Sequence, residues 1–286
     1  MDALPLKNPG GELFSVSQSI SGIETKPVNS GQYCLSNDTD RTVNSRHKSS
    51  KYSAPKKSFS IWRPIKRLLF YLVLFFLFSS FTLVGLLRFV PAPTSAFMLH
   101  RHIEDFKNGK GFQPIRHQWV PREKISRYAF AAVIAGEDQR FFQHHGFDTD
   151  AIYQAIDTYL SGGKLRGAST ISQQVAKNLF LSPARNFWRK GLEIWFTALI
   201  EILWPKQRIL EMYLNIAEFG NHLFGIEAAA QHYFGISAKR LTAQQSALLA
   251  ATLPNPIKFR ADRPTDYLYK RQAWILRQMK NLNYHH

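Results

Sequence analysis

The amino-acid sequence predicts a mainly α-helical protein with one membrane-spanning helix near its N-terminus. Apolar residues recur with a helical period through the second half of the chain. Capping signals agree with that period, since Thr242 and Gln245 have the capping-box spacing, Pro205 suits a first helical turn and Gly220 suits a helix end. No run of alternating strands and no internal repeat is visible. The predicted helices cover residues 122–137, 150–160, 170–181, 186–204, 206–218, 225–233, 243–252 and 265–282.

The most apolar segment, Leu68 to Leu87, contains no charged residue. As a helix it would span about 30 Å, enough to cross the hydrocarbon core of a bilayer. Residues 1–67 hold eleven Lys or Arg and five Asp or Glu, so the positive-inside rule keeps the N-terminus in the cytoplasm and exports residues 88–286. The alternatives are a buried soluble helix and a signal peptide cleaved near residues 94–96. The length of the apolar run and of the segment before it favours an uncleaved anchor.

We therefore divide the chain into a disordered basic cytoplasmic tail (1–62), a transmembrane signal-anchor helix (63–89) and an exported domain (90–286). The single cysteine, Cys34, falls in the tail, so the exported domain must be held together by an ordinary core. Residues 88–286 carry 26 Lys or Arg against 15 Asp or Glu, a net charge of +11. This charge suggests phospholipid headgroups, a pyrophosphate-linked lipid or nucleic acid as partner, and the membrane span argues against nucleic acid.

The segment from Gly167 to Leu181 predicts a helix with an unusual polar face. Its core side would be formed by apolar residues, and its polar arc consists of Thr170, Gln173, Gln174, Lys177 and Asn178. Amides beside one cation suit sugar hydroxyls and phosphate oxygens. An ordinary amphipathic helix is the alternative interpretation.

A carboxylate, Glu137, ends an apolar helix face four residues after Val133. Burial there would raise its pKa and make it a stronger base. The alternative is that Glu137 caps the following turn or pairs with Arg140. The adjacent His144 and His145 do not face the same way on a helix or strand, so a structural hydrogen bond is favoured for His144 over a metal site.

The helix over 186–204 is apolar nearly all round, except for a stripe that includes Arg189, Lys190 and Glu193. Charges on a core helix must face a cleft or pair with one another, because unpaired buried charge is very costly. An Arg189–Glu193 ion pair is the structural alternative. We favour the cleft, because an Arg189–Glu193 pair would leave the positive charge of Lys190 without a partner. In the next helix, Lys206 is the best candidate for contact with a ligand.

Together these residues indicate a reaction at a membrane. A glycosidase must protonate a poor leaving group, whereas a sugar pyrophosphate already has a good one, so cations and one general base suffice. This set of one carboxylate base, several cations and sugar-compatible amides therefore favours glycosyl transfer from a lipid pyrophosphate. The candidate phosphate contacts are Lys177, Arg185, Arg189, Lys190 and Lys206.

Five ordered motifs resemble those of the peptidoglycan glycosyltransferases, and among them the monofunctional biosynthetic transglycosylases. The resemblance covers roughly residues 100–260. Single short motifs are weak evidence, whereas five in order are very specific. The motifs are Glu137-Asp138-x-x-Phe141-x-x-His144-x-Gly146, Gly167-x-Ser169-Thr170-Ile171-Ser172-Gln173-Gln174-x-x-Lys177-Asn178, Arg189-Lys190-x-x-Glu193, Lys206-x-x-Ile209-Leu210-Glu211-x-Tyr213-Leu214-Asn215 and Gly225-x-x-x-Ala229-Ala230-x-x-Tyr233-Phe234.

The resemblance implies a lysozyme-like helical head with a smaller, membrane-facing jaw lobe near residues 147–166, in the periplasm and anchored in the inner membrane. The donor would be a glycan chain on undecaprenyl pyrophosphate and the acceptor lipid II. The product would be a β-1,4 linkage made with inversion at the anomeric carbon of the donor. Glu137 would be the general base. Glu193 would orient the cations or hold a divalent metal, Mg²⁺ or Mn²⁺, at the pyrophosphate. Ser169, Thr170, Gln173, Gln174 and Asn178 would bind substrate.

Several points stay open in this interpretation. In the jaw, Ile152, Ile156, Tyr159 and Leu160 could contact acyl chains or form an ordinary core face. Ile236 stands where many relatives have Lys, which should change surface charge more than catalysis. A membrane-anchored muramidase or lytic transglycosylase is the alternative enzyme. A non-catalytic anchor that recruits other cell-wall synthesis or division proteins is a third hypothesis.

Overall fold

A computed structural model of the chain describes residues 62–163, 169–183 and 186–282. The prediction of a mainly α-helical protein is confirmed. The predicted tail, 1–62, lies outside the described residues except for Trp62. In chain order the elements are α1 (Trp62–Leu87), α2 (Ala96–Lys107), β1 (Arg116–His117), α3 (Arg127–Glu137), α4 (Thr149–Leu160), α5 (Ile171–Phe180), α6 (Phe187–Leu203), α7 (Lys206–Ile216), β2 (Glu218–Gly220), β3 (Leu223–Phe224), α8 (Ile226–Phe234), α9 (Ala243–Thr252) and α10 (Asp266–Asn281), with 3₁₀ turns at Arg122–Lys124 and Ala238–Arg240.

The structure differs from the predicted elements at a few boundaries. α2 was not predicted, and the helix predicted from residue 122 begins only at Arg127, after a cap in which Ser126 Oγ accepts from the Tyr128 N–H. The helix predicted to reach residue 218 ends at Ile216. Gly220, predicted as a helix end, lies in strand β2 of a small sheet with the order β1-β3-β2. Strands of two or three residues are too short to show alternation in a sequence.

The helix α1 is long and apolar enough to cross a membrane, which fits a single-pass anchor. Most of its side chains are exposed, but its C-terminal end packs on α6. There Val84 and Ser80 are buried, and two tryptophans donate to them: Trp204 Nε1 to the Val84 carbonyl at 2.8 Å, and Trp195 Nε1 to Ser80 Oγ at 3.1 Å. The end of the anchor is therefore part of the folded domain.

The core of the domain lies between two helix groups. α3 packs against α9 and α10, while α5 packs against α6 and α7. Alanines on the facing surfaces of α3 and α9 are buried, including Ala132 and Ala250, and small side chains let two helix backbones approach closely. Gly136 extends this contact, because a Cβ there would meet Ile275 of α10 at 3.2 Å. These contacts hold the C-terminal end of α3, where the sequence places its candidate base.

The helix α4, in the predicted jaw, has no buried residue. Ile156, Tyr159 and Leu160 are exposed, and Ile152 is partly buried. An ordinary core face, one of the two interpretations of this segment, is therefore wrong. Exposed apolar area on one helix of a domain whose α1 is long and apolar enough to cross a membrane is suited to a lipid surface.

Candidate active site

Glu137 is the last residue of α3, and side chains of α5 and α10 donate hydrogen bonds to its carboxylate. Gln174 of α5 donates from Nε2 to Oε2 at 2.9 Å, and Arg271 of α10 donates from Nη2 to Oε1 at 3.2 Å. Tyr213 of α7 donates its hydroxyl to Gln174 Oε1 at 3.1 Å, which orients the amide. The side chain of Glu137 is only 13% exposed. The carboxylate is thus held in place with limited access to water.

The environment of Glu137 raises its pKa. Burial is the largest cause, and it outweighs the opposite effects of the Gln174 hydrogen bond and of the positive charges of Arg271 and Lys177. Burial also raises the pKa of Tyr213 well above its ordinary value, so the phenol stays a donor. A carboxylate whose proton affinity is increased but which has fixed hydrogen-bond partners is suited to accept a proton from a hydroxyl.

The residue after the candidate base, Asp138, ties α3 to α5. Its Oδ2 accepts from the Ile171 N–H at 3.0 Å, and its Oδ1 accepts from His144 Nε2 at 2.9 Å. The Gly146 N–H donates to His144 Nδ1 at 3.2 Å, so Nδ1 is an acceptor and Nε2 carries the proton. Thr170 Oγ1 donates to the Gly146 carbonyl at 2.6 Å. His144 therefore has the hydrogen-bonding role that the sequence favoured.

The N-terminus of α5 is closed by a capping box between Thr170 and Gln173. The Gln173 N–H donates to Thr170 Oγ1 at 3.2 Å, and the Thr170 N–H donates to Gln173 Oε1 at 3.0 Å. Gln173 is only 5% exposed. Its amide oxygen is thus used within the helix cap, whereas the amide of Gln174 reaches Glu137.

A cavity of about 300 Å³ lies beside Gln173 and Gln174. We call it the cation cavity, because the cationic side chains of Lys177, Arg189 and Lys190 line it. Glu193, 3% exposed, accepts from Arg189 Nη1 at 2.7 Å and from Lys190 Nζ at 2.5 Å. The third cation, Lys177, has a lowered pKa, chiefly through burial and partly through the charges of Arg189 and Lys190, while Glu193 and Glu137 act in the opposite direction. Three cations face one carboxylate, so the cavity favours an anion. It is lined by Phe97, Ser169, Gln173, Gln174, Lys177, Pro183, Arg189, Lys190 and Glu193.

A second cavity of about 240 Å³ adjoins Glu137. Ser169 lines both cavities, and Gln174 lines the first while donating to Glu137. The buried carboxylate therefore lies next to the cation cavity. The second cavity is lined by Glu137, Asp138, Gln139, Arg140, Asp148, Ala151, Ser169 and Thr170.

Two described residues of the predicted site, Lys206 and Asn178, line neither cavity. Lys206 Nζ donates to Glu201 Oε1 at 2.9 Å and to the His144 carbonyl at 2.7 Å, so its ammonium joins α6, α7 and the loop after α3 instead of lining either cavity. Asn178 lines neither cavity, and its Oδ1 is buried with no hydrogen-bond partner among the described atoms. Arg185 lies outside the described residues.

The arrangement fits a divalent cation poorly. Among the described residues Glu193 is the one carboxylate that lines the cation cavity, and both of its oxygens are engaged by Arg189 and Lys190. Within the described residues, no group of three or more His, Cys, Asp or Glu side chains could hold a metal ion. Hard divalent cations need several free oxygen ligands, and the cation cavity offers ammonium and guanidinium groups instead.

Sequence reasoning missed two side chains at this site. Phe97 comes from α2, which has no capping box in the sequence, and Arg271 comes from the middle of α10. Neither belongs to a motif that marks it, and only the tertiary packing of α2 on α5 and of α10 on α3 brings them to the cavities. Tyr213 was part of a motif, but its contact with Gln174 could not be read from spacing.

Known proteins resemble this chain over most of its length. The family model described as "Transglycosylase" matches residues 104–280. The chain is 54% identical over 216 residues to a protein of Chromohalobacter salexigens, covering 76% of the chain and 92% of that relative. It is 49% identical over 239 residues to a protein of Pasteurella multocida, covering 84% and 97%, and 53% identical over 210 residues to one of Pseudomonas fluorescens SBW25, covering 73% and 87%. All three relatives are named biosynthetic peptidoglycan transglycosylase.

Proposed function

The chain belongs to the transglycosylase family, and we propose that it polymerises lipid II into β-1,4-linked glycan with release of undecaprenyl pyrophosphate. It is a peptidoglycan glycosyltransferase of cell-wall synthesis, with the lysozyme-like helical domain of that family. The observation that carries the finer proposal is the juxtaposition at Ser169 and Gln174 of a buried carboxylate, Glu137, with a cavity holding three cations.

Glu137 would take the proton from the 4-hydroxyl of the acceptor sugar as that oxygen attacks the anomeric carbon of the donor. The bond between that carbon and the pyrophosphate oxygen breaks on the opposite face, so the configuration inverts. The departing pyrophosphate gains negative charge, which Lys177, Arg189 and Lys190 are placed to stabilise. A single buried base and a cation cluster next to it supply what this reaction needs.

Glu193 would act through the cations that it holds. Because its two oxygens accept from Arg189 and Lys190 separately, it fixes their positions in the cavity wall. It also removes one of three positive charges, which leaves a surplus of two for the pyrophosphate. We propose that this protein cluster, and not a resident divalent metal, neutralises the leaving group.

The membrane placement follows from the anchor and from α4. We propose that α1 crosses the inner membrane with the N-terminus in the cytoplasm, because the basic residues Arg63, Lys66 and Arg67 lie at its N-terminal end. The exposed apolar side chains of α4 would then face lipid on the periplasmic side. Lipid II, the lipid-linked glycan and membrane lipid are the proposed partners. Other cell-wall synthesis or division proteins are proposed on the sequence resemblance alone.

Incubating the purified full-length chain with labelled lipid II tests the function. Wild type should convert lipid II into polymer, and Glu137→Gln should not. A wild-type preparation that is folded yet makes no polymer would refute the function. The hydrolytic alternative is tested in the same preparation, because a muramidase or lytic transglycosylase would release fragments from finished glycan and leave lipid II unconsumed.

A further inference from the structure

The helix α2 begins nine residues after the end of α1, and it is firmly fixed to the domain. Ser95 caps it by accepting from the Met98 N–H at 3.2 Å, and Met98 is 3% exposed. Arg101 donates to both oxygens of Glu218, each at 2.9 Å, which joins α2 to strand β2. The side chains on the inner face of α2 therefore have defined positions relative to the cavities.

Phe97 lies on this inner face and forms part of the wall of the cation cavity. Its ring centroid is 5.7 Å from Lys177 Nζ, and the ring is half-buried. It is the one aromatic side chain that lines the cavity within the described residues. A partly exposed hydrocarbon surface next to three cations suits a ligand that is both anionic and apolar.

The connection between the anchor and α2 is also fixed. Arg208 of α7 donates from Nη2 to the Leu87 carbonyl at 2.9 Å and to the Val90 carbonyl at 2.5 Å, and Arg88 Nη1 donates to the Leu203 carbonyl at 2.7 Å. These bonds hold the end of the membrane helix against the domain that carries the cavity. Phe97 therefore lies a short, restrained segment away from the membrane-spanning helix.

An amphiphile in which a hydrocarbon chain is esterified to a diphosphate matches this combination. The diphosphate would face Lys177, Arg189 and Lys190, and the first carbons of the chain would leave the cations at Phe97 on their way to the bilayer. We infer that Phe97 is a specificity-determining residue that contacts the first prenyl units of the lipid diphosphate. This inference rests on the proposed function and assigns to the anchor-proximal helix a direct contact with the substrate.

Binding of two probes to the purified full-length chain in detergent tests the inference: farnesyl diphosphate, and inorganic pyrophosphate. In Phe97→Ala the affinity for farnesyl diphosphate should fall about tenfold, the effect of losing roughly 50 Å² of apolar contact, while the affinity for pyrophosphate stays unchanged. Phe97→Leu should keep most of the affinity, because it keeps an apolar side chain. The matched control is Phe106→Ala on the opposite face of α2, where the side chain is 82% exposed.

The two probes separate an apolar contact from an effect on the cation. If Phe97 served only to position the ammonium of Lys177, Phe97→Ala would weaken both probes equally, and the inference would be overturned. Unchanged binding of both probes, an equal effect of Phe106→Ala, or a wild type that binds neither probe would overturn it as well. Lipid II polymerisation by the same wild-type preparation reports separately on the proposed function, so failure of one is distinguishable from failure of the other.

Discussion

Arg271 of α10 donates a hydrogen bond to Glu137 Oε1 at 3.2 Å, across 134 residues of sequence. The same nitrogen donates to the Gly136 carbonyl at 3.3 Å, so the guanidinium also covers the C-terminal end of α3. On the other oxygen Glu137 accepts from Gln174. A cation and an amide thus hold a carboxylate whose burial raises its pKa. The carboxylate of Glu137 is therefore held in one orientation and shielded from water.

Replacing Glu137 by Gln should reduce the rate of lipid II polymerisation by about 10²–10⁴-fold, the usual contribution of a general base. Gln keeps the size of the side chain and an oxygen that can accept from Gln174, so the fold should persist. Rates from labelled lipid II and the melting temperature together check this expectation. Polymer formed at the wild-type rate by a folded variant would contradict the role of Glu137.

Replacing Arg271 by Gln should shift the pH dependence of polymerisation. The positive charge of Arg271 lowers the pKa of Glu137, so its removal should raise that pKa further. A general base works in its ionised form, and the rate therefore rises as the pH rises through the pKa of Glu137. The rising limb of kcat/KM should move to higher pH in Arg271→Gln.

Arg277→Gln is the matched control for this shift, because Arg277 is exposed on the same helix. Both variants lose one positive charge, and only Arg271 touches the carboxylate. If the rising limb of kcat/KM moves to lower pH, or moves equally in both variants, the guanidinium of Arg271 does not lower the pKa of Glu137.

Local chemistry explains which parts of this protein were predictable. The caps of α5 and α9 involve residues three apart, Thr170 with Gln173 and Thr242 with Gln245, and such pairs can be recognised in a sequence. The anchor is predictable for the same reason, since one uninterrupted apolar run determines it. Strands β1 to β3 are too short to show a period, and β1 exists only through its pairing with the distant strand β3.

Residues of the site could be predicted where a motif lies along one face of a helix. Residues that only tertiary packing brings to the site could not be predicted. Lys177 and Lys206 look alike in sequence, each a lysine within a motif on a helix. The structure directs Lys177 into the cation cavity and Lys206 toward Glu201. Arg271 and Phe97 join the site through contacts of α10 and α2, which no local pattern reveals.

The two lysines should therefore respond in opposite ways to substitution by Ala. Lys206→Ala leaves Glu201, whose side chain is 6% exposed, without its cation, and breaking a buried pair costs about 3–5 kcal/mol. We expect a large loss in the free energy of unfolding and little change in pyrophosphate affinity for the folded fraction. Lys177→Ala should weaken pyrophosphate binding with a much smaller loss of stability.

Thermal unfolding and pyrophosphate titration of both variants check this pair of expectations. If Lys206→Ala keeps the wild-type melting temperature but binds pyrophosphate more weakly, Lys206 contacts the phosphate, as the sequence predicts. If Lys177→Ala binds pyrophosphate as tightly as wild type, Lys177 does not contact the phosphate.

The docking of the anchor on the domain should be measurable through Trp204. Its indole Nε1 donates to the carbonyl of Val84 at 2.8 Å, and this hydrogen bond is buried. Trp204→Phe removes the donor of this buried hydrogen bond. The cost should be about 1–3 kcal/mol in the free energy of unfolding of the domain.

Trp188→Phe is the control variant. Trp188 belongs to α6, the helix on which the end of α1 packs, but its side chain is 88% exposed. Thermal unfolding of both full-length variants in detergent measures the difference. Because the end of α1 is buried against α6, only Trp204→Phe should lower the melting temperature, and limited proteolysis should then cut between α1 and α2 more readily. If the two variants unfold at the same temperature, the end of the anchor is a tether that contributes little to the stability of the domain.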